Sequence, residues 1–177
     1  MIDQQTTDFT ALVDALVKVG MEPDTAALGK VSKTLAKLFD ADPDEAAILK
    51  VNVKSKSLNF VIPEKLAAVG SIPLSSATAL AARTARERRA ELVNNFSTSR
   101  HASVFEGVPL GRSQGELIHK IMSAPILEGT MVLGVVQISR KGYSGSDAGP
   151  DFTQKDLRTL TSLTNALEHY LKLFKDR

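Results

Sequence analysis

Side chains able to do chemistry are few in this sequence, and their spacing excludes more than it suggests. The 177 residues contain no cysteine. This excludes disulfides, thiolate metal ligands, thiol nucleophiles and thioether-linked chromophores. The histidines are His101, His119 and His169. None sits in an HxxxH or HExxH pattern, so a metal would need carboxylates brought from afar, and no metal is expected. Asp40-x-Asp42-x-Asp44 opens like a calcium loop. Glu45 then stands where the turn glycine belongs, and Ala46 and Val51 stand where later ligands belong. The stretch reads as a solvated turn. Gly107-Val108-Pro109-Leu110-Gly111 is neither GxGxxG nor a P-loop, and Pro109 removes an amide that a phosphate cradle would use. No GxSxG elbow is present. No catalytic residue and no cofactor is assigned, and the chain is expected not to be an enzyme.

Two segments keep a binding role open. Arg83, Arg86, Arg88, Arg89 and Arg100 form the densest positive cluster, partly neutralised by Glu87 and Glu91. Such a cluster is either an anion-binding rim or a solvated helix face with neighbouring ion pairs. The second segment, Asn94 to Glu106, sets Asn95, Arg100 and His101 among Phe96 and Phe105. Apolar walls with a few placed polar groups are what a small-molecule pocket needs. A loop pinned to a sheet by two phenylalanines accounts for the same residues.

The elements that must position these residues follow from periodicity. Phe9, Leu12, Val13, Leu16 and Val17 recur at helical spacing up to Gly20, and Leu28, Val31, Leu35 and Leu38 repeat the pattern. An acidic turn leads to strands at Ala46–Val53 and Leu58–Ile62, then to a short edge strand near Ser71-Ile72 and a helix over Ala77–Arg89. Asn94 to Glu116 reads as a long loop. Ile118–Leu127 and Val132–Lys141, joined across Glu128-Gly129-Thr130, are a β-hairpin. Thr153 with Asp156 resembles a capping box opening one long helix. There Leu160, Leu163, Leu167, Tyr170 and Phe174 repeat at 3-4-3-4. With Leu157, Leu171 and Leu173 beside them, that helix must bury two faces, against the sheet and against the N-terminal helices or a second subunit.

Composition sets the outer bounds. Apolar residues make up 43% and charged residues 24%, which suits a globular domain with an aliphatic core. Residues 1–39 are a helical segment and 40–177 the main domain. A net charge of +2 is too small to argue for nucleic acid or membrane. Aromatics at 5%, with no Trp, offer no base-stacking platform. No run reaches the ~18 apolar residues of a membrane span. The polar start Asp3-Gln4-Gln5-Thr6-Thr7-Asp8 is no signal peptide, so a cytoplasmic location is expected.

The order of these parts resembles the GAF domain family. The parts are the hairpin Ala46–Ile62, Gly70-Ser71-Ile72-Pro73-Leu74 leading into Ala77–Arg89, the Asn94–Glu106 stretch, Ser123-Ala124-Pro125-Ile126 paired with Gly134-Val135-Val136-Gln137, and Phe152-Thr153-x-x-Asp156-Leu157. The resemblance runs from Asp40 to the C-terminus. It implies an α+β, GAF/PAS-like antiparallel sheet with N- and C-terminal helices packed on one face and a small-molecule pocket on the other. By position, the pocket walls would be Phe60, Leu80, Arg83, Asn95, Phe96, His101, Phe105, Ile121 and Ser123. The family further implies a homodimer built through end helices, here through Leu160, Leu163, Leu167, Tyr170 and Phe174. It implies signalling to a partner, here a separate output protein. The missing cysteines exclude the bilin attachment and the methionine sulfoxide reductase chemistry found in the family. The Asn-Lys-x-Asp pattern of its cyclic-nucleotide binders is absent. The expectation is a non-enzymatic sensory or regulatory module that binds a small molecule. The alternative is the same fold with a filled pocket, serving as a protein-interaction module.

Overall fold

The computed structural model describes residues 3–96 and 116–175. Helix α1 spans Gln4–Val19 and α2 Thr25–Lys37. Each starts where an aspartate side chain accepts from a backbone amide, Asp3 from Gln5 and Asp24 from Ala27, satisfying donors the first turn leaves open. A 3-10 turn at Pro43–Glu45 leads into β1, Ala46–Asn52, and then β2, Ser57–Ile62. A four-residue helix α3 at Glu64–Ala67 precedes β3, Ser71–Pro73. Next come α4 at Leu80–Glu87 and β4 at Glu91–Val93. The hairpin is β5, Leu117–Glu128, with β6, Met131–Gly142. Helices α5, Gln154–Ser162, and α6, Thr164–Leu171, close the chain.

The six strands form one antiparallel sheet in the order β3-β2-β1-β6-β5-β4. The β5–β6 hairpin turns at Gly129, whose φ of 58° is the left-handed conformation that favours glycine. Two apolar cores result, one on each face. Phe9 and Val13 of α1, Leu28, Val31 and Leu35 of α2, and Leu160, Leu163, Leu167 and Tyr170 pack on Ile48, Met122, Ala124, Val136 and Ile138. The helices before residue 40 thus share a core with the sheet. The opposite face carries Ala47, Leu49, Phe60, Ile121 and Val135, covered by α4. This is the α+β plan expected from the sequence, with terminal helices gathered on one face.

Four details differ from expectation. Helix α4 starts at Leu80 rather than Ala77, because the Ser76 hydroxyl accepts from the Ala79 amide and holds a separate turn ahead of it. It stops at Glu87, with Arg88 at φ 52°. The final helix breaks at Leu163. There Thr161, Ser162 and Thr164 each turn a hydroxyl back onto a carbonyl, of Leu157, Thr159 and Thr161. Such bonds compete with the helical ladder. Strand β4 was not anticipated.

The stripe assigned to a second subunit needs the largest correction. Leu160, Leu167 and Tyr170 are fully buried within the single chain, and Leu163 is 1% exposed. They cover the sheet and α1, so they present nothing to a partner. Phe174 is half-buried against the same core and stacks edge-on to Tyr170 at 5.1 Å. Each buried leucine here is worth roughly 1.5–3 kcal/mol in transfer from water, all of it used inside the fold.

Candidate functional site

On the face away from the terminal helices, an apolar surface is interrupted by three polar side chains. Ser123 on β5 and Gln137 on β6 are cross-strand partners, and Thr84 on α4 stands over them. Thr84, Ser123 and Gln137 are at most 3% exposed. The Thr84 hydroxyl donates to the Leu80 carbonyl at 2.9 Å. Its single proton is thereby used, so the 2.7 Å contact with Ser123 must be donated by Ser123. Ser123 in turn accepts from Gln137 Nε2 at 3.2 Å. The chain therefore runs one way, from the Gln137 amide through two hydroxyls to the α4 backbone. A buried chain of this kind is tolerated because its members bond one another. The Gln137 side-chain carbonyl makes no hydrogen bond with the described residues.

The expected pocket walls divide into groups. Phe60, Leu80, Phe96 and Ile121 all join one buried cluster with Ile118 and Val135. Ser123 sits beside them in the polar chain. Arg83 does not point into the site. It makes a forked pair with Glu91 of β4, with Nε and Nη2 at 3.2 and 3.0 Å from Oε1 and Nη2 at 2.9 Å from Oε2. That pair fixes α4 to the sheet edge. Asn95 is exposed and stays outside the cluster. His101, Phe105 and the Gly107–Gly115 stretch lie outside the described residues. The other arginines serve the surface. Arg86 donates to the Leu74 and Ser76 carbonyls and Arg89 pairs with Glu87, so the solvated helix face holds for this part of the cluster.

Several features were not visible in the sequence. Asn94 pairs with Phe152 like a strand residue, donating from Nδ2 to its carbonyl and accepting from its amide. The Glu45 carboxylate accepts from the Asp42 and Lys141 amides and ties the entry to β1 to the end of β6. A groove of about 580 Å³ opens at the far end of the sheet, lined by Asp24, Lys50, Asn52, Asn59, Phe60 and Phe174 among others. No signal for it existed, because its walls come from both ends of the chain. Among the described residues no cluster of His, Cys, Asp or Glu is arranged to hold a metal, and no helix is long and apolar enough to cross a membrane.

A six-stranded antiparallel sheet with terminal helices on one face and a short helix on the other is the α+β plan of GAF domains, a regulatory and sensory fold. The chain belongs to the GAF family: the GAF domain model matches residues 7–171. That span takes in α1 and α2 with the sheet. Solved structures agree on the fold. The GAF domain of an Acinetobacter phosphoenolpyruvate-protein phosphotransferase is 13% identical with a TM-score of 0.65, covering 97% of this chain and 95% of that one. The GAF domain of A. aeolicus nlh2 in an inactive state is 15% identical with a TM-score of 0.54, over 96% and 99%. The free methionine-R-sulfoxide reductase of Neisseria meningitidis, solved with its substrate, is 15% identical with a TM-score of 0.56, over 98% and 93%. No curated protein sequence matches the chain.

Proposed function

We propose that this GAF domain is a non-enzymatic regulatory module that binds a small, uncharged, hydrogen-bonding molecule on the α4 face of its sheet. The observation that carries the reading is the Thr84–Ser123–Gln137 chain, with its amide carbonyl left to a ligand donor. A face serving packing alone would be better filled by apolar groups, since buried polar atoms bring only modest net stability. The same strands run under the terminal helices through Met122, Ala124, Val136 and Ile138. A ligand on one face can therefore bias the helices on the other, in proportion to its differential affinity for two arrangements. The readout would pass to a separate output protein or to a second copy through surfaces other than the Leu160 stripe. Thiol chemistry like that excluded from the sequence has no place in it, because the 177 residues hold no cysteine.

The second reading is a ligand-free interaction module. What favours it is the closure of Phe60, Leu80, Phe96 and Ile121 into one apolar cluster. Native mass spectrometry of the purified protein, compared with its denatured mass, separates the two. A stoichiometric extra mass that disappears in Gln137→Ala supports the sensor. An unmodified mass, after incubation with an extract of host metabolites, sinks it in favour of the interaction module.

A further inference from the structure

A second recess lies at the end of the sheet, independent of the α4 face. It measures about 320 Å³, near the small end of ligand sites, and Asp40, Asp42, Glu45, Arg140, Lys141 and Asp147 are among its walls. Arg140 is only 8% exposed. Its Nη1 donates to the Asp40 carbonyl at 3.3 Å and its plane lies over the Phe152 ring at 4.4 Å. Its Nε is buried with no hydrogen-bond partner. No described carboxylate pairs with it. A guanidinium held out of water normally has an anion beside it, because burying an unpaired charge is costly. Two of the acids in the same walls are engaged by backbone amides. Glu45 accepts from two backbone amides and Asp147 accepts from the Tyr143 amide.

The charge around this guanidinium narrows what could complete it. Five acids, Glu116 included, and two bases line the recess. A simple anion would meet net repulsion there, and a simple cation would leave Arg140 unpaired. A molecule carrying both charges satisfies both ends. We infer that the recess binds a small zwitterion of the α-amino-acid class. Its carboxylate pairs with the Nε–Nη2 edge of Arg140, the edge that the Asp40 carbonyl does not use, and its ammonium faces the exposed carboxylate of Asp40, which has no partner among the described residues.

The test is an NMR titration of the full 177-residue chain with each standard amino acid, and with acetate and methylamine as the separate halves. At least one amino acid should shift the amides of Arg140 to Tyr143 saturably, and each half should bind more than tenfold more weakly. Arg140→Lys and Asp40→Asn should each raise the Kd about tenfold or more. Should Arg140→Lys fail to fold, Asp40→Asn, at an exposed position, decides alone. Silence from every amino acid at about 20 mM, acetate binding as tightly as the whole zwitterion, or unchanged affinity in Asp40→Asn would each overturn the assignment. So would an equal loss of affinity in Ser123→Ala, which would move the ligand to the α4 face.

Discussion

Tyr170→Phe should make this protein more stable. Tyr170 is fully buried, and its hydroxyl has no hydrogen-bond partner. A buried polar group left without a partner costs roughly 1–3 kcal/mol relative to water. Phenylalanine removes that cost while keeping the ring and its edge-to-face contact with Phe174, at 5.1 Å and 76°. Allowing for a small void where the oxygen was, the net gain should be about 1 kcal/mol. For a chain of this length that is roughly 2–4 °C in Tm. Urea unfolding should show a higher midpoint with an unchanged slope. The pH dependence supplies an independent arm. Burial pushes the Tyr170 phenol well above its ordinary value of 10.0. Above that ordinary value the unfolded chain loses the proton while the folded chain keeps it, so the unfolded state binds fewer protons and stability falls as pH rises. The stability is fully present below pH 10 and declines as pH climbs toward the folded-state value. The decline should be shallower in Tyr170→Phe. A variant less stable than the parent by more than about 0.5 kcal/mol would mean that the hydroxyl has a partner, and the reasoning would fail.

Three further substitutions probe the scaffold. Gly134→Ala should cost more than about 3 kcal/mol in urea unfolding, since its Cβ would meet the Leu49 carbonyl oxygen at 2.1 Å and the strands would have to part. Leu163→Asp places a carboxylate in the helix-side core and should abolish the folded circular dichroism signal of the single chain at any concentration; a folded protein that changes only its oligomeric state would refute that assignment. Thr153→Ala removes the side-chain half of the box it forms with Asp156 and should lower stability by about 1 kcal/mol, read as a shift in urea midpoint.

The long alternations were legible because each encodes one face at a time. Ile118–Leu127 and Val132–Lys141 could be little else than a hairpin, and the sheet is built around it. Strand β4 was not legible, since three residues give too little alternation to read and its place is set by pairing with Ile121–Ser123. The helical stripe from Leu160 to Phe174 shows the deeper limit. Periodicity reports that a face is buried but not by what, and here α1 and the sheet of the same chain bury it. In the candidate site, Ser123, Phe60 and Ile121 were recoverable from position along a recognised order of elements. Thr84 and Gln137 were not, because a hydroxyl and an amide acquire meaning only when β5, β6 and α4 bring them within hydrogen-bond reach. The buried setting of Arg140 was equally hidden, depending on Phe152 and on the carbonyl of Asp40.

The close approach at Gly134 also constrains how such a sequence can drift. Two neighbours crowd the absent side chain: the Leu171 methyl at 2.6 Å and the Leu49 carbonyl oxygen at 2.1 Å. A smaller side chain at 171 clears the first, so on that account alone bulk can be exchanged between helix and strand in two steps. The second neighbour is main chain and is present whatever residue occupies 49. No companion change in a side chain opens that route, and residue 134 is closed to neutral exploration while positions around it remain free to vary.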